Sequence, residues 1–253
     1  MSQSLVAGND HLETLTRCGG YYSCLKSRLD GKRLGPLVGY AGKYTAPDGT
    51  KKQYVGDIYA NFAKAEEHLE ALYYFAQQTA YKLSSNIVVK NSILCAMPIG
   101  GYSFSQMLGM ALERPVIKAE KKVIALATET SREQSKLVFG RHSIEKGAPY
   151  LIGEDVCNNF STTDEGIELI HSLGGIVVGI VCFLNRSPTV DSVYRSSKIP
   201  VAIPVISLVR QVIEEYQQDD PAVVEDVAKG NVIWKPKDEW HTLTHAMNMA
   251  KPT

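Results

Sequence analysis

The chain has 253 residues, of which 44% are hydrophobic and 21% are charged. These proportions are those of globular proteins, and they exclude a disordered, collagen-like or low-complexity chain. The 27 basic residues balance the 27 acidic ones, so the overall basic excess typical of nucleic-acid-binding proteins is absent and only a local basic patch remains open. The length predicts one to two domains with a sizeable core.

The sequence contains no segment typical of a membrane protein. Its longest apolar run, residues 174–184, is about half of the ~20 residues that a transmembrane helix needs. The N-terminus lacks the basic segment and apolar core of a signal peptide. The five cysteines are an odd number without a CxxC pair, which disfavours a disulfide scaffold or a structural zinc site. We therefore predict a cytoplasmic protein with reduced thiols.

The chain begins with an irregular segment and continues with alternating strands and helices. Residues 12–53 are rich in Gly, Lys, Arg and Tyr and predict a helix followed by irregular or short-strand structure. Apolar residues at helical spacing predict a long helix over residues 62–83, with Asn61 as its N-cap. Beyond it we predict strands at 92–97, 114–119, 122–127, 136–139, 149–153, 176–184 and 201–206, and helices at 103–112, 163–173 and 207–217.

This alternation predicts the fold class. Strands that are apolar on both faces and alternate with helices indicate an α/β fold with a mainly parallel sheet flanked by helices. From Asp219 onward the chain is polar and contains Trp234 and Trp240, which we expect to anchor this segment to the body or to a partner.

The most informative segment is YLIGEDVCNNFSTTDEGIELI, residues 150–170. An apolar strand ends in Glu154 and Asp155, a polar loop follows, and a helix starts. Ligands of open α/β sheets bind beyond the carboxyl ends of the strands, and a helix N-terminus suits a phosphate. Carboxylates at a strand end suit sugar hydroxyls or a hydrated Mg²⁺ ion. An ordinary strand end followed by a helix N-cap has the same pattern, so the segment alone leaves both interpretations open.

The segment resembles the phosphoribosyl-diphosphate (PRPP) motif of the type I phosphoribosyltransferases. That motif consists of an apolar strand, two acidic residues, an apolar pair and a small loop. The resemblance implies that Glu154 and Asp155 hold the ribose hydroxyls of PRPP. The family usually has Gly where Phe160 stands, and Phe does not adopt a positive φ as readily as Gly. The resemblance implies that the 5′-phosphate lies on the loop formed by Asn158, Asn159, Phe160, Ser161 and Thr162.

Two further segments resemble the family, and the second of them resembles its orotate-type members. Residues 92–104 read SILCAMPIGGYSF, in which Gly100 and Gly101 fall in the diphosphate-binding loop, where the family often has a non-proline cis peptide. Residues 115–123 read PVIKAEKKV. Lys121 and Lys122 match lysines of the family that lie near the diphosphate, whereas Glu120 stands where Arg is common.

The resemblance also covers the base and the catalytic loop. Residues 48–62 match the orotate-type hood strand, and the resemblance implies that Lys51, Lys52 and Tyr54 bind the base. The mobile catalytic loop of the family corresponds to residues 128–136, which contain Arg132 and Lys136 but no histidine. Either these two residues replace the usual loop chemistry, or the substrate and rate differ. The implied catalytic residues are Glu154, Asp155, Lys121, Arg132 and Lys136.

The resemblance implies a complete function. An N-terminal helix and hood (residues 1–61) would precede a phosphoribosyltransferase core (62–217) and a C-terminal extension (218–253). The enzyme would transfer the 5-phosphoribosyl group of PRPP to a nucleobase, most closely orotate, giving orotidine 5′-monophosphate and diphosphate in pyrimidine nucleotide biosynthesis. Mg²⁺ would be bound mainly through PRPP, without a metal site of the chain's own. The partners would be PRPP and a base, in a homodimer without nucleic acid or membrane.

Three alternatives remain open at this point. The first is a transferase for a purine or a modified pyrimidine, and the second is a PRPP-sensing regulator without catalysis. The third, a P-loop or Rossmann nucleotide-binding protein, is disfavoured because neither GxxxxGK[ST] nor GxGxxG occurs. His241 and His245 stand four residues apart without a further ligand at metal spacing, and we interpret Cys157 as a packing residue.

Overall fold

The computed structural model describes residues 4–85, 89–125 and 134–249. The helices are α1 (His11–Arg17), α2 (Ala63–Glu66), α3 (Leu69–Leu83), α4 (Gly101–Leu112), α5 (Ser161–Ser172), α6 (Val224–Ala228) and α7 (Trp240–Met249). The strands are β1 (Tyr21–Ser23), β2 (Leu37–Thr45), β3 (Lys51–Gly56), β4 (Ile58–Ala60), β5 (Ile93–Ala96), β6 (Val116–Lys118), β7 (Glu120–Ala125), β8 (Gln134–Val138), β9 (Pro149–Cys157), β10 (Ile176–Asn185), β11 (Val193–Arg195), β12 (Ala202–Arg210) and β13 (Val232–Ile233).

The chain forms two compact units. The first consists of Met1–His11 and Glu66–Val212, and the second of Leu12–Ala65 and Ile213–Thr253. This division differs from the three segments that the resemblance implies, because the C-terminal segment joins the N-terminal one in a single unit.

The first unit is built on a six-stranded sheet in the order β11-β12-β10-β9-β5-β6. All its strand pairs are parallel except β11 with β12. The two central strands are apolar and largely buried, as expected for strands covered on both faces. Helices α4 and α5 pack against β9. The predicted fold class, a mainly parallel sheet flanked by helices, is confirmed. The strands predicted at 122–127 and 136–139 correspond to β7 and β8, which pair antiparallel.

The second unit joins the two ends of the chain. Strand β13 pairs in parallel with β2, which pairs antiparallel with β3. The guanidinium of Arg33 donates hydrogen bonds to both Asp57 and Asp226. The indole Nε1 of Trp240 donates to the carbonyl oxygen of Gly19 at 2.7 Å. Trp240 therefore anchors the C-terminal segment, as predicted.

The predicted helix over residues 207–217 is wrong. Strand β12 continues to Arg210, and Tyr216 forms an isolated bridge with Val55. The apolar residues there are compatible with both helical and alternating spacing. The strand prevails because hydrogen-bonded partners continue beside it: Leu184 lies opposite Val209 in the parallel ladder.

The predicted single helix over residues 62–83 is divided in two. Helix α2 ends at Glu66, and α3 begins after His68, whose backbone is extended. Phe62 is buried in the second unit, and Phe75 is buried in the first. One uninterrupted helix would have to serve two separate cores, which explains the break.

None of the helices in the described part of the chain is long and apolar enough to span a membrane.

Candidate functional site

The acidic pair lies at the carboxyl edge of the parallel sheet. Strand β9 extends to Cys157, so Glu154 and Asp155 lie within the strand, near its C-terminal end. The sequence predicted a strand that ends at residue 153, directly before them. In the neighbouring strand β5, Ala96 lies opposite Gly153. The segment that leaves β5 and the residues that end β9 therefore meet at one edge, where ligands of such sheets bind.

Two glycines let the segment after β5 approach the acidic pair. A Cβ atom on Gly100 would overlap the carboxylate of Asp155, and one on Gly101 would overlap the carbonyl oxygen of Gly153. Glycine is therefore required at both positions for close approach. The peptide between Pro98 and Ile99 is cis, as the resemblance leads one to expect. The structure thus brings the predicted diphosphate loop and the predicted ribose-binding acids together.

Glu154 is a buried acid. Only 8% of the residue's surface is exposed to solvent. Burial and the neighbouring Asp155 raise the pKa of Glu154 to about 8, although Lys121 and a hydrogen bond with Thr163 act in the opposite direction. Glu154 therefore holds a proton near neutral pH in the free protein and gives it up when a favourable partner arrives.

The loop after β9 turns at Phe160. This residue has a φ of 59° and a ψ of 16°, the left-handed conformation that the resemblance assigns to glycine. Its carbonyl oxygen accepts the N–H of Asp164 at 2.8 Å. Helix α5 begins at Ser161 and not at Thr163 as predicted, so Ser161 and Thr162 belong to its first turn and the prediction that they lie in the loop is wrong. The carboxamide Oδ1 of Asn159 accepts the N–H and hydroxyl of Ser161 at 3.1 and 3.0 Å.

The cost of the left-handed Phe160 is offset by packing. The conformation costs a non-glycine residue about 1–3 kcal/mol. The Phe160 side chain is only 3% exposed and lies in the core cluster of the first unit, and burial of a phenylalanine contributes about 1.5–3 kcal/mol. The turn therefore keeps, without glycine, the left-handed geometry that the resemblance leads one to expect at this position.

The candidate lysines lie on the β7–β8 hairpin. Lys122 on β7 lies opposite Lys136 on β8, and Lys121 lies opposite Leu137. All three lysines are exposed. Lys121 is near enough to Glu154 to lower the pKa of that acid. Arg132, the remaining predicted loop residue, lies outside the described residues.

Two further residues contribute to this edge, and sequence reasoning missed the second. Thr163, in the hydroxyl-rich stretch after the loop, hydrogen-bonds to Glu154. Tyr102 in the first turn of α4 donates a hydrogen bond to the carbonyl oxygen of Ala119, and the Nζ of Lys118 lies 5.4 Å from the centre of its ring. These contacts tie the start of α4 to the end of β6.

The predicted base-binding residues belong to the second unit. Lys51, Lys52 and Tyr54 lie on β3, and the ring of Tyr54 packs against that of Tyr44 with centroids 5.0 Å apart. Their role in binding a base stays a prediction.

Cysteine and metal chemistry have no support of their own in this region. Cys157 is buried, and a hydrogen bond with Cys182 together with burial raises its pKa, so it suits packing, as predicted, and not nucleophilic attack. Within residues 4–85, 89–125 and 134–249, no group of three or more His, Cys, Asp and Glu side chains could hold a metal ion.

Comparison with known proteins points to one family by sequence. The chain is 28% identical over 123 residues to an orotate phosphoribosyltransferase of Caldanaerobacter subterraneus subsp. tengcongensis, a match that covers 47% of this chain and 60% of the relative. It is 26% identical over 164 residues to an orotate phosphoribosyltransferase of Campylobacter jejuni, covering 61% of this chain and 73% of that protein. The resemblance to the phosphoribosyltransferases is confirmed.

Comparison of structures adds more distant neighbours, and no family model matches the chain. The crystal structure of orotate phosphoribosyltransferase from Aeropyrum pernix aligns with a TM-score of 0.46 at 14% identity, covering 76% of this chain and 93% of the neighbour. That of adenine phosphoribosyltransferase from Thermoanaerobacter pseudethanolicus aligns with a TM-score of 0.47 at 20% identity, covering 66% and 95%.

Proposed function

We propose that this chain is a phosphoribosyltransferase that transfers the 5-phosphoribosyl group of PRPP to a nucleobase, and that the base is orotate. The observation that carries the proposal is the approach of Gly100 to the carboxylate of Asp155. It joins a glycine loop to an acidic pair in the arrangement that the resemblance implies. The sequence similarity to orotate phosphoribosyltransferases supports orotate as the base.

The site residues divide the work between the two ends of PRPP. Glu154 and Asp155 accept hydrogen bonds from the ribose hydroxyls, and the turn at Phe160 with the start of α5 receives the 5′-phosphate. Lys121 and Lys122 attract the diphosphate. In the reaction, the bond from the anomeric carbon to the diphosphate oxygen breaks, a bond to a base nitrogen forms, and the proton of that nitrogen is released to solvent. The two carboxylates stabilise the positive charge that develops on the ribose, and the lysines stabilise the negative charge on the leaving diphosphate.

The acidic pair also fits Mg²⁺ carried by PRPP. Mg²⁺ is commonly bound by one or two carboxylates together with substrate phosphates, and Glu154 and Asp155 provide adjacent carboxylates at the sheet edge. When bound, the ion neutralises charge on the diphosphate. Asp155 is the better placed of the two, because it is only partly buried and lies against Gly100.

The test is base-dependent release of diphosphate. Purified protein is incubated with PRPP and Mg²⁺ together with orotate, uracil, adenine, guanine or hypoxanthine. We expect release of diphosphate with orotate and formation of orotidine 5′-monophosphate. Turnover with a purine instead would keep the transferase and replace the base. Failure to bind PRPP in calorimetry would remove the proposal altogether.

A second candidate, a PRPP-binding regulator without catalysis, is favoured by the absence of histidine from residues 128–136. The same experiment separates the two. The regulator binds PRPP in calorimetry but releases no diphosphate with any base, whereas the enzyme does both.

A further inference from the structure

A ring stack connects the phosphate turn to a strand at the edge of the sheet. The rings of Phe160 and Tyr194 are nearly parallel, with an interplanar angle of 14° and centroids 4.9 Å apart. Tyr194 lies on β11, where it pairs with Ile203 of β12. The stacked partner of Phe160 is therefore held by the backbone of the sheet and not by the loop.

The same strand and the two residues that follow it also hold the first turn of α5. Asp164 hydrogen-bonds with Tyr194, and it accepts the hydroxyl groups of Ser196 and Ser197 at 2.6 and 2.5 Å. Burial alone would raise the pKa of Asp164, but these hydrogen bonds outweigh it and lower the pKa, so the carboxylate stays ionised. Because the N–H of Asp164 in turn bonds to the carbonyl oxygen of Phe160, both ends of the turn are tied to one segment.

This arrangement stabilises a backbone conformation that is unfavourable for phenylalanine but not for glycine. Phe160 has a φ of 59°, and a bulky residue keeps that conformation only where surrounding structure enforces it. The contacts that enforce the conformation act on the buried ring of Phe160. The stack with Tyr194 is one of these contacts.

We propose that Tyr194 is a positioning residue for the 5′-phosphate of PRPP. It acts through Phe160: the stack and the bond to Asp164 fix the left-handed turn, so that the backbone meets the phosphate in one geometry. The proposal rests on the proposed function for the identity of the ligand. It predicts that the dependence on Tyr194 disappears when residue 160 is glycine, because glycine adopts the turn without help.

The test is a double-mutant cycle on PRPP kinetics. Tyr194→Leu removes the stacked ring and should raise the KM for PRPP about tenfold with kcat within about twofold, the signature of lost binding that is equal in ground and transition states. Tyr194→Phe keeps the ring, and Asp164 still accepts the hydroxyl groups of Ser196 and Ser197, so KM should change by about twofold at most. In the Phe160→Gly background, Tyr194→Leu should add no more than about twofold. A full tenfold effect in that background would overturn the proposal.

Two controls separate positioning from damage. Tyr81→Leu alters a tyrosine that is 80% exposed in the same unit and should leave KM unchanged. Titration with Mg²⁺ and inorganic diphosphate probes the site without a 5′-phosphate, and Tyr194→Leu should bind it as the wild type does. An equal loss of diphosphate affinity would overturn the proposal, since it would place the defect in the whole site.

The support that Tyr194 gives to the turn at Phe160, called the brace below, can be tested without any substrate by hydrogen exchange in the free protein. The amides of residues 158–164 should exchange about tenfold faster in Tyr194→Leu than in the wild type or Tyr194→Phe. Unchanged exchange in a folded Tyr194→Leu protein overturns the brace whatever the substrate is. Faster exchange in a protein whose wild type does not bind PRPP would instead confirm the brace, overturn its assignment to the PRPP phosphate and contradict the proposed function.

Discussion

At the scale of single residues, the two acids of the site have the same chemistry and different surroundings. Glu154 is buried beside Thr163, and its pKa is raised to about 8. Asp155 is partly exposed and faces the backbone of Gly100. Burial therefore keeps Glu154 mostly protonated near neutral pH, whereas Asp155 is the more accessible of the two acids.

Asp155 should contribute directly to PRPP binding. Asp155→Asn keeps the size of the side chain and removes its charge, so we expect affinity for PRPP with Mg²⁺ to fall at least about tenfold, equivalent to about 1.4 kcal/mol. Isothermal titration calorimetry measures this. Asp191→Asn, at an exposed position of the same unit, is the matched control. Equal affinities for wild type and Asp155→Asn would exclude Asp155 from the site.

The proton on Glu154 should make PRPP binding depend on pH. Burial and Asp155 raise the pKa of Glu154 to about 8, so the acid is mostly protonated at pH 6 and ionises as the pH rises through 8. Ribose hydroxyls donate to the ionised form and favour it. Affinity should therefore rise by roughly tenfold or more from pH 6 to pH 8.

Glu154→Gln provides the comparison for this pH profile. It has no proton to lose, while the titration of PRPP itself affects both proteins alike, so the difference between the two calorimetric profiles isolates Glu154. Parallel profiles would show that Glu154 does not change its protonation on binding.

At the scale of elements, the sequence predicts strands that have a local apolar pattern. It does not predict features that depend on contacts between distant segments of the chain. Strands β5, β9 and β10 were predictable because each is a continuous apolar run. The extension of β12 to Arg210 depends on β10 lying beside it, which local spacing does not reveal. Likewise the resemblance identifies Phe160 as a departure from glycine, but Tyr194 lies in a different segment and is brought to it only by the pairing of β11 with β12.

The loop between β5 and α4 should be intolerant of a single methyl group. Gly100 has a φ of −60° and a ψ of −33°, which alanine adopts freely, so Gly100→Ala acts only through overlap with Asp155. We expect at least a tenfold loss of PRPP affinity, about 1.4 kcal/mol. The control is Gly42→Ala, whose Cβ would lie 3.6 Å from Tyr54 in ordinary contact. Wild-type affinity in Gly100→Ala would refute the close approach.

The hairpin of β7 and β8 should bind anions. Lys122 and Lys136 are cross-strand neighbours, and like charges in such a pair repel each other. A diphosphate relieves this repulsion, so Lys122→Gln or Lys136→Gln should weaken binding of inorganic diphosphate with Mg²⁺ severalfold, more at low than at high salt. Lys229→Gln, in the second unit, is the control. Equal losses at all salt concentrations would argue against a charge effect.

At the scale of the whole molecule, the predicted homodimer would let one chain complete its partner's site. We combine an Asp155→Asn chain with an Arg132→Ala, Lys136→Ala chain. If the loop residues act across a symmetric interface, one site of each mixed dimer contains both intact halves, and mixing restores up to about half of the per-site activity. Light scattering establishes the mass first. No recovery despite subunit exchange would mean that the loop serves its own chain or that Arg132 and Lys136 are not catalytic.

The second unit is built from two segments that are far apart in the chain, Leu12–Ala65 and Ile213–Thr253. The guanidinium of Arg33, whose side chain is only 10% exposed, bonds to Asp226, 193 residues further along. Strand β2 pairs with β13, which follows the segment Glu66–Val212 of the first unit. On a ribosome that adds about 5–20 residues per second, Asp226 is synthesised roughly 10–40 s after Arg33. The larger segment of the first unit, Glu66–Val212, is synthesised within this interval. Synthesis therefore favours an order in which the parallel sheet forms before the second unit is completed.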